Sequence, residues 1–154
     1  LHHWLQEFES NIRKYDSITL PEVMDYLLSY WLQQPTMAEL QRIADSILER
    51  AIEDKVYHEY QTRKLNEIKR VATGLAELNP YVDAAEWTEL LVKSLNLLTL
   101  AWCQCHPPKQ LVGSEVKDFQ QLSREYLLPF WNEVFKRKPA VEKPKSAWRK
   151  LLGK

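Results

Sequence analysis

Glycine is scarce in this sequence: Gly74, Gly113 and Gly153 are the only three in 154 residues. So few glycines exclude a turn-rich β protein, and they leave no GxGxxG or GxxxxGK loop to cradle a phosphate. Cysteine is nearly as rare. Two residues build no disulfide framework, so a reducing compartment is expected. Long apolar runs are missing as well. The most apolar stretch, 90–105, is interrupted by Lys93, Ser94 and Asn96 and is too short to span a bilayer. Residues 1–20 contain no apolar stretch of the kind a secretory leader carries. The expectation is a soluble, cytoplasmic protein without a membrane partner.

What the sequence does hold is apolar and aromatic mass. Hydrophobic residues make up 45% of the chain, with six Trp, seven Tyr and four Phe, enough for a real core in one domain. The net charge of zero hides an asymmetry. Residues 136–154 carry eight Lys or Arg against the single acid Glu142, leaving 13 basic and 20 acidic residues in the body. An acidic body with a basic tail is a polarised object, and such polarity bears on partners.

Hydrophobic spacing predicts five helical segments. The first, 3–15, places Trp4, Leu5, Phe8 and Ile12 on one face. Thr19 and Glu22 have capping-box spacing, with Pro21 in the first turn, and open a second helix that stops before Pro35. Thr36 and Glu39 repeat the box before a long third segment, 37–78, which has no Pro and no Gly until Gly74. Unbroken, it would run roughly 60 Å, so it either projects as a rod or bends near His58. Asp83 and Glu86 cap the fourth segment, whose apolar residues cover nearly every face, marking it as the central helix. Ser114 is placed to cap the fifth, which Pro129 should kink or split. The resulting expectation is an all-α helical bundle of about five helices over 1–137, with a long third helix. A flexible basic C-terminal tail, 138–154, follows.

The chemistry-bearing residue types do not assemble into a familiar centre. Cys103-Gln104-Cys105-His106 lacks the second ligand pair that zinc needs and is one residue short of a haem attachment motif. His58-Glu59 begins like HExxH, but Thr62 stands where the second His belongs. No cofactor, no metal and no enzymatic activity are expected.

Basic clusters carry the functional reading instead. Arg63, Lys64, Lys69 and Arg70 lie close together in the long segment. Arg63 and Arg70 share nearly one azimuth, and Lys64 lies about 100° away. This broad band suits a phosphate backbone; the plain alternative is a solvated face with Glu67 pairing to Arg63 and Arg70. Lys136, Arg137 and Lys138 extend the cationic set. Trp4, Trp131 and Phe135, near segment ends, mark a candidate docking surface. Trp148, Leu151 and Leu152 in the tail suit a partner's groove.

A small helical bundle with a basic-banded long helix and no active site resembles the small subunit of CRISPR surveillance complexes. Those subunits look like the C-terminal helical domain of the large subunit. The features carrying the resemblance are the size, the helix count and the band from Arg63-Lys64 to Lys69-Arg70. The resemblance implies a non-catalytic subunit, stacked in copies among protein subunits. Its phosphate contacts would steady guide RNA or target and displaced DNA. The alternative is a helical protein-interaction adaptor or assembly chaperone with a C-terminal docking peptide.

Overall fold

The computed structural model describes residues 2–14, 18–51, 53–106 and 118–136, and all six elements among them are α-helices. They are α1 (His2–Ile12), α2 (Leu20–Gln33), α3 (Pro35–Ala51), α4 (Asp54–Leu78), α5 (Ala84–Cys105) and α6 (Phe119–Lys136). The all-α expectation holds. No described helix is long and apolar enough to cross a membrane.

α1 buries Trp4, Leu5, Phe8 and Ile12, the face that the spacing predicts. At the start of α2, Glu22 reaches back to Thr19. Its Oε2 accepts from the Thr19 N–H at 2.7 Å and from the Thr19 hydroxyl at 2.6 Å, satisfying one of the donors a helix start leaves open. Val23, Met24, Leu27, Leu28 and Trp31 then turn inward.

Gln34 alone separates α2 from α3. Its N–H donates to the Tyr30 carbonyl and closes the first helix, while its own carbonyl accepts from the Ala38 N–H and opens the second. Pro35 follows as the first residue of α3, where a missing N–H costs nothing. This corrects the expected Thr36–Glu39 box. Thr36 lies inside the first turn, and the Glu39 carboxylate accepts the Trp102 indole N–H at 2.8 Å.

The long third segment is two helices. α3 ends at Ala51 and α4 begins at Asp54, with Glu53 leaving helical geometry at φ −58, ψ 140. The Glu53 carbonyl receives the N–H groups of Val56 and Tyr57, so the new helix starts from it. The break falls five residues before the expected bend at His58. α4 is still the longest helix, with 25 residues spanning roughly 37 Å. Its first half is largely solvated, and its buried residues run from Glu67 to Leu75. Gly74 lets α4 approach α1 closely. A Cβ at this position would stand 2.8 Å from Ile12 Cδ1, inside van der Waals contact.

α5 is the central helix, packed against α3, α4 and α6. Asp83 Oδ1 caps it by accepting from the Glu86 N–H at 2.8 Å. Trp87, Leu90, Leu91, Leu95, Leu98 and Trp102 fill the core around it. At its C-terminal end Trp102 lies against Trp31, Phe119 and His106, at centroid separations of 6.2, 5.2 and 3.9 Å.

α6 starts at Phe119, with Asp118 Oδ1 accepting from the Gln121 N–H at 2.8 Å. The expected cap, Ser114, lies outside the described residues. Pro129 does not split this helix. It is exposed, and the Glu125 carbonyl it deprives of a donor also belongs to an exposed residue, so the interruption sits on the solvent side. On the inner side Trp131 is fully buried. It meets Trp87 edge-on and donates its indole N–H to Ser94 Oγ at 2.9 Å.

Candidate functional site

Among the clefts between the described helices, two hold basic residues of α4 and a third holds none. The first, about 720 Å³, runs between α1 and α4 and is lined by Arg63 and Arg70 together with Lys55, His58, Glu59 and Glu67. Neither arginine stands alone there. Arg63 Nε lies 3.6 Å from Glu67 Oε1, and Arg70 Nε lies 3.7 Å from Glu9 Oε2. Glu67 is buried whereas Arg63 is mostly exposed, so water screens the pair and its stabilising effect is small. Lys64 belongs to a second groove of about 360 Å³ between α4 and α5, lined also by Leu65, Ile68, Val92 and Leu95. Lys69 is exposed and lines neither cleft. Lys136 is exposed at the end of α6, remote in sequence from the others. Arg63, Lys64, Lys69 and Arg70 therefore do not line a single cleft.

The candidate docking residues change character as well. Trp4 and Trp131 are 7% and 0% exposed, so both belong to the core, which corrects their expected place on a docking surface. Position near a helix end was misleading because α1 and α6 are packed along most of their lengths. The Phe135 side chain, and Arg137, Lys138, Trp148, Leu151 and Leu152, lie outside the described residues. Cys105 is buried and Cys103 half-buried at the end of α5. Among the described residues, no three or more His, Cys, Asp or Glu are placed to share a metal ion.

The third cleft is built like a small-molecule site. It measures about 420 Å³ and opens between α1 and α2. Trp4, Tyr26 and Tyr30 form its aromatic wall, with Glu7, Asn11 and Gln33 among its polar residues. This size, with aromatic walls and a few polar groups, falls within the usual range for ligand pockets. Local sequence explains its construction. Trp4 and Phe8 are one turn apart on α1, and Tyr26 and Tyr30 one turn apart on α2, so the two pairs meet across the helices. Trp4 and Tyr30 have ring centroids 4.5 Å apart, and Phe8 stacks on Tyr26 at 4.3 Å. Asn11 Nδ2 donates to the Tyr26 hydroxyl at 2.9 Å and fixes that ring. Sequence reading passed over Tyr26, Asn11 and Glu7, though the paired i, i+4 aromatics were the available signal.

Tyr30 has a shifted titration. Burial, and secondarily the phenol of Tyr60, raise its pKa above the ordinary 10.0. The folded state thus favours the neutral phenol. Its contribution to stability is complete below the ordinary tyrosine pKa and is lost as pH rises through the raised one. Urea midpoints followed from about pH 8 to about pH 11 should therefore fall less in Tyr30→Phe than in the wild type. Identical alkaline slopes would show that the Tyr30 hydroxyl is not desolvated.

Comparison with family models supplies the context for these clefts. A model described as "Tetracyclin repressor-like, C-terminal domain" matches residues 1–115, about three quarters of the chain, from α1 through α5. Comparisons with curated proteins and with solved structures found no match. The family match overturns the resemblance to a CRISPR small subunit. With it go the role in antiviral defence, the stacking among subunits, and the guide RNA and target or displaced DNA as partners. It equally withdraws the adaptor or assembly-chaperone alternative. Size, helix count and a basic band misled because many helical bundles share them, and the band's charges are divided between separate grooves. The chain belongs to the family of tetracyclin repressor-like C-terminal domains.

Proposed function

We propose that this chain is the ligand-binding and dimerising domain of a transcriptional regulator, acting by binding rather than by catalysis and working in the cytoplasm. The family match over α1 to α5 carries this reading. The aromatic cleft between α1 and α2 supports it as a place where a small molecule is held. α1 and α2 meet there through large rings, and α1 also packs on α4 through the close approach at Gly74. A ligand entering the cleft bears on both α1 and α2. A preference for one arrangement of these helices shifts the population toward it by the difference in affinity.

The test is association state. Sedimentation velocity should give a species of twice the 18.3 kDa chain mass at concentrations of about 10–100 μM, the range in which a micromolar self-affinity is populated. A monomer throughout that range would remove the dimerising part of the reading. A thermal-shift screen of small molecules then checks the binding part, since a ligand at about 100 times its Kd stabilises the fold by about 2.7 kcal/mol.

A further inference from the structure

The electrostatics of the α1/α2 cleft point to a definite class of ligand. We infer that it takes an organic cation, an ammonium attached to an aromatic or alkyl body, held against Trp4 and Tyr30 and neutralised by Glu7. This inference rests on the reading of the chain as a ligand-binding domain and names the chemistry of that site.

Among the described residues, the lining holds one carboxylate, Glu7, one imidazole, His3, and no Lys or Arg. An anion entering at the Glu7 end would meet that carboxylate, while the Lys14 ammonium stands behind Asn11. A cation meets that carboxylate together with the faces of electron-rich rings, whose quadrupoles attract positive charge within about 6 Å. Trp4 and Tyr30 are mutually packed at 4.5 Å, and Phe8, fully buried, backs Tyr26. The wall is thus preorganised rather than assembled on binding, which lowers the entropy cost of capture. Asn11 marks the other end of the cleft. Lys14 Nζ donates to Asn11 Oδ1 at 2.8 Å, so positive charge already stands behind that residue. Glu7 lies about one turn nearer the N-terminus of α1 than Asn11, roughly 6 Å along the axis. The cation therefore belongs at the Glu7 and Trp4 end. The remaining polar side chains, Ser29, Gln33 and Gln34, offer hydrogen bonds to a polar body without adding charge.

The probe is benzyltrimethylammonium, compared with neutral benzyl alcohol and anionic benzenesulfonate. Binding to the full chain is followed by the NMR signal of the Trp4 indole N–H, assigned by its loss in Trp4→Phe. The cation should move this signal saturably. Glu7→Gln, an exposed change that leaves the core intact, should weaken the cation about tenfold, with benzenesulfonate at least tenfold weaker than the cation on the wild type. Glu7→Lys should reverse the order of the two ions. Equal affinity for benzyl alcohol, an affinity unmoved by Glu7→Gln, or a Trp4 signal that none of the probes shifts would each overturn the inference. Its failure and that of the domain reading are separable. A dimer that ignores the cation keeps the regulator reading and discards this one. A strict monomer that binds the cation keeps this inference with the ligand-binding part of the reading and discards the dimerising part.

Discussion

Trp131→Ala is expected to cost about 3–5 kcal/mol of folding stability, the range for deleting a buried aromatic side chain. Domains of this kind are stable by only about 5–15 kcal/mol, so the variant should be extensively unfolded at modest urea concentrations. The size of the effect follows from three facts about one ring. Trp131 is fully buried, it meets Trp87 edge-on at 5.8 Å, and its indole N–H is taken by Ser94 Oγ. Ser94 in turn donates to the Leu90 carbonyl at 2.6 Å, so α6 is joined to α5 by a buried polar chain as well as by packing. Trp131→Phe keeps a ring and loses the hydrogen bond and some volume. It should cost markedly less, about 1–3 kcal/mol. Urea unfolding of both variants separates the packing from the polar contribution. Equal losses would mean that the hydrogen bond, not the ring, holds α6.

Phe8→Ala is expected to be as damaging, again about 3–5 kcal/mol, and to act at the other end of the molecule. Phe8 is fully buried between Trp4, at 5.5 Å, and Tyr26, at 4.3 Å, so its removal leaves the aromatic wall of the α1/α2 cleft without its backing. Leu5 and Ile12 still fasten α1 to the core, which limits the loss to the aromatic layer. Phe8→Leu retains most of the volume and should cost less than about 1.5 kcal/mol. A calorimetric or urea measurement giving under about 1 kcal/mol for Phe8→Ala would show that α1 is loosely held and that the cleft lacks a rigid floor.

Much of the helical plan was readable because the signals were local. Thr19 with Glu22 and Asp83 with Glu86 marked helix starts, and the all-round apolar content of 90–102 marked the centre of the bundle. The turn at Glu53 left no such signal. It uses neither Pro nor Gly, and Glu53 leaves helical geometry without a side-chain cap. Pro129 deceived in the opposite direction: a residue that usually ends a helix lies on the solvent side, where losing one hydrogen bond is tolerated. The site was less legible than the fold. Arg63 and Arg70 drew attention by charge density, yet Glu67 and Glu9 stand beside them, the second from a helix some 60 positions earlier in the chain. Tyr26 looked like an ordinary helix residue until α1 brought Trp4 and Phe8 against it. Function had no motif to announce it, because binding surfaces of this kind depend on shape and not on a fixed residue string.

The single-residue joint at Gln34 constrains how this sequence can vary. Because one residue closes α2 and opens α3, the two helices share a fixed angular phase as well as a position. Each residue added to or removed from the start of α3 would turn the rest of that helix by about 100° about its axis. Glu39 would then swing away from the Trp102 indole it now receives. Length changes are therefore better tolerated almost anywhere on the outer surface than at positions 33–36. Lineages descended from this chain should keep the spacing from Trp31 to Glu39 even where the residues between them drift.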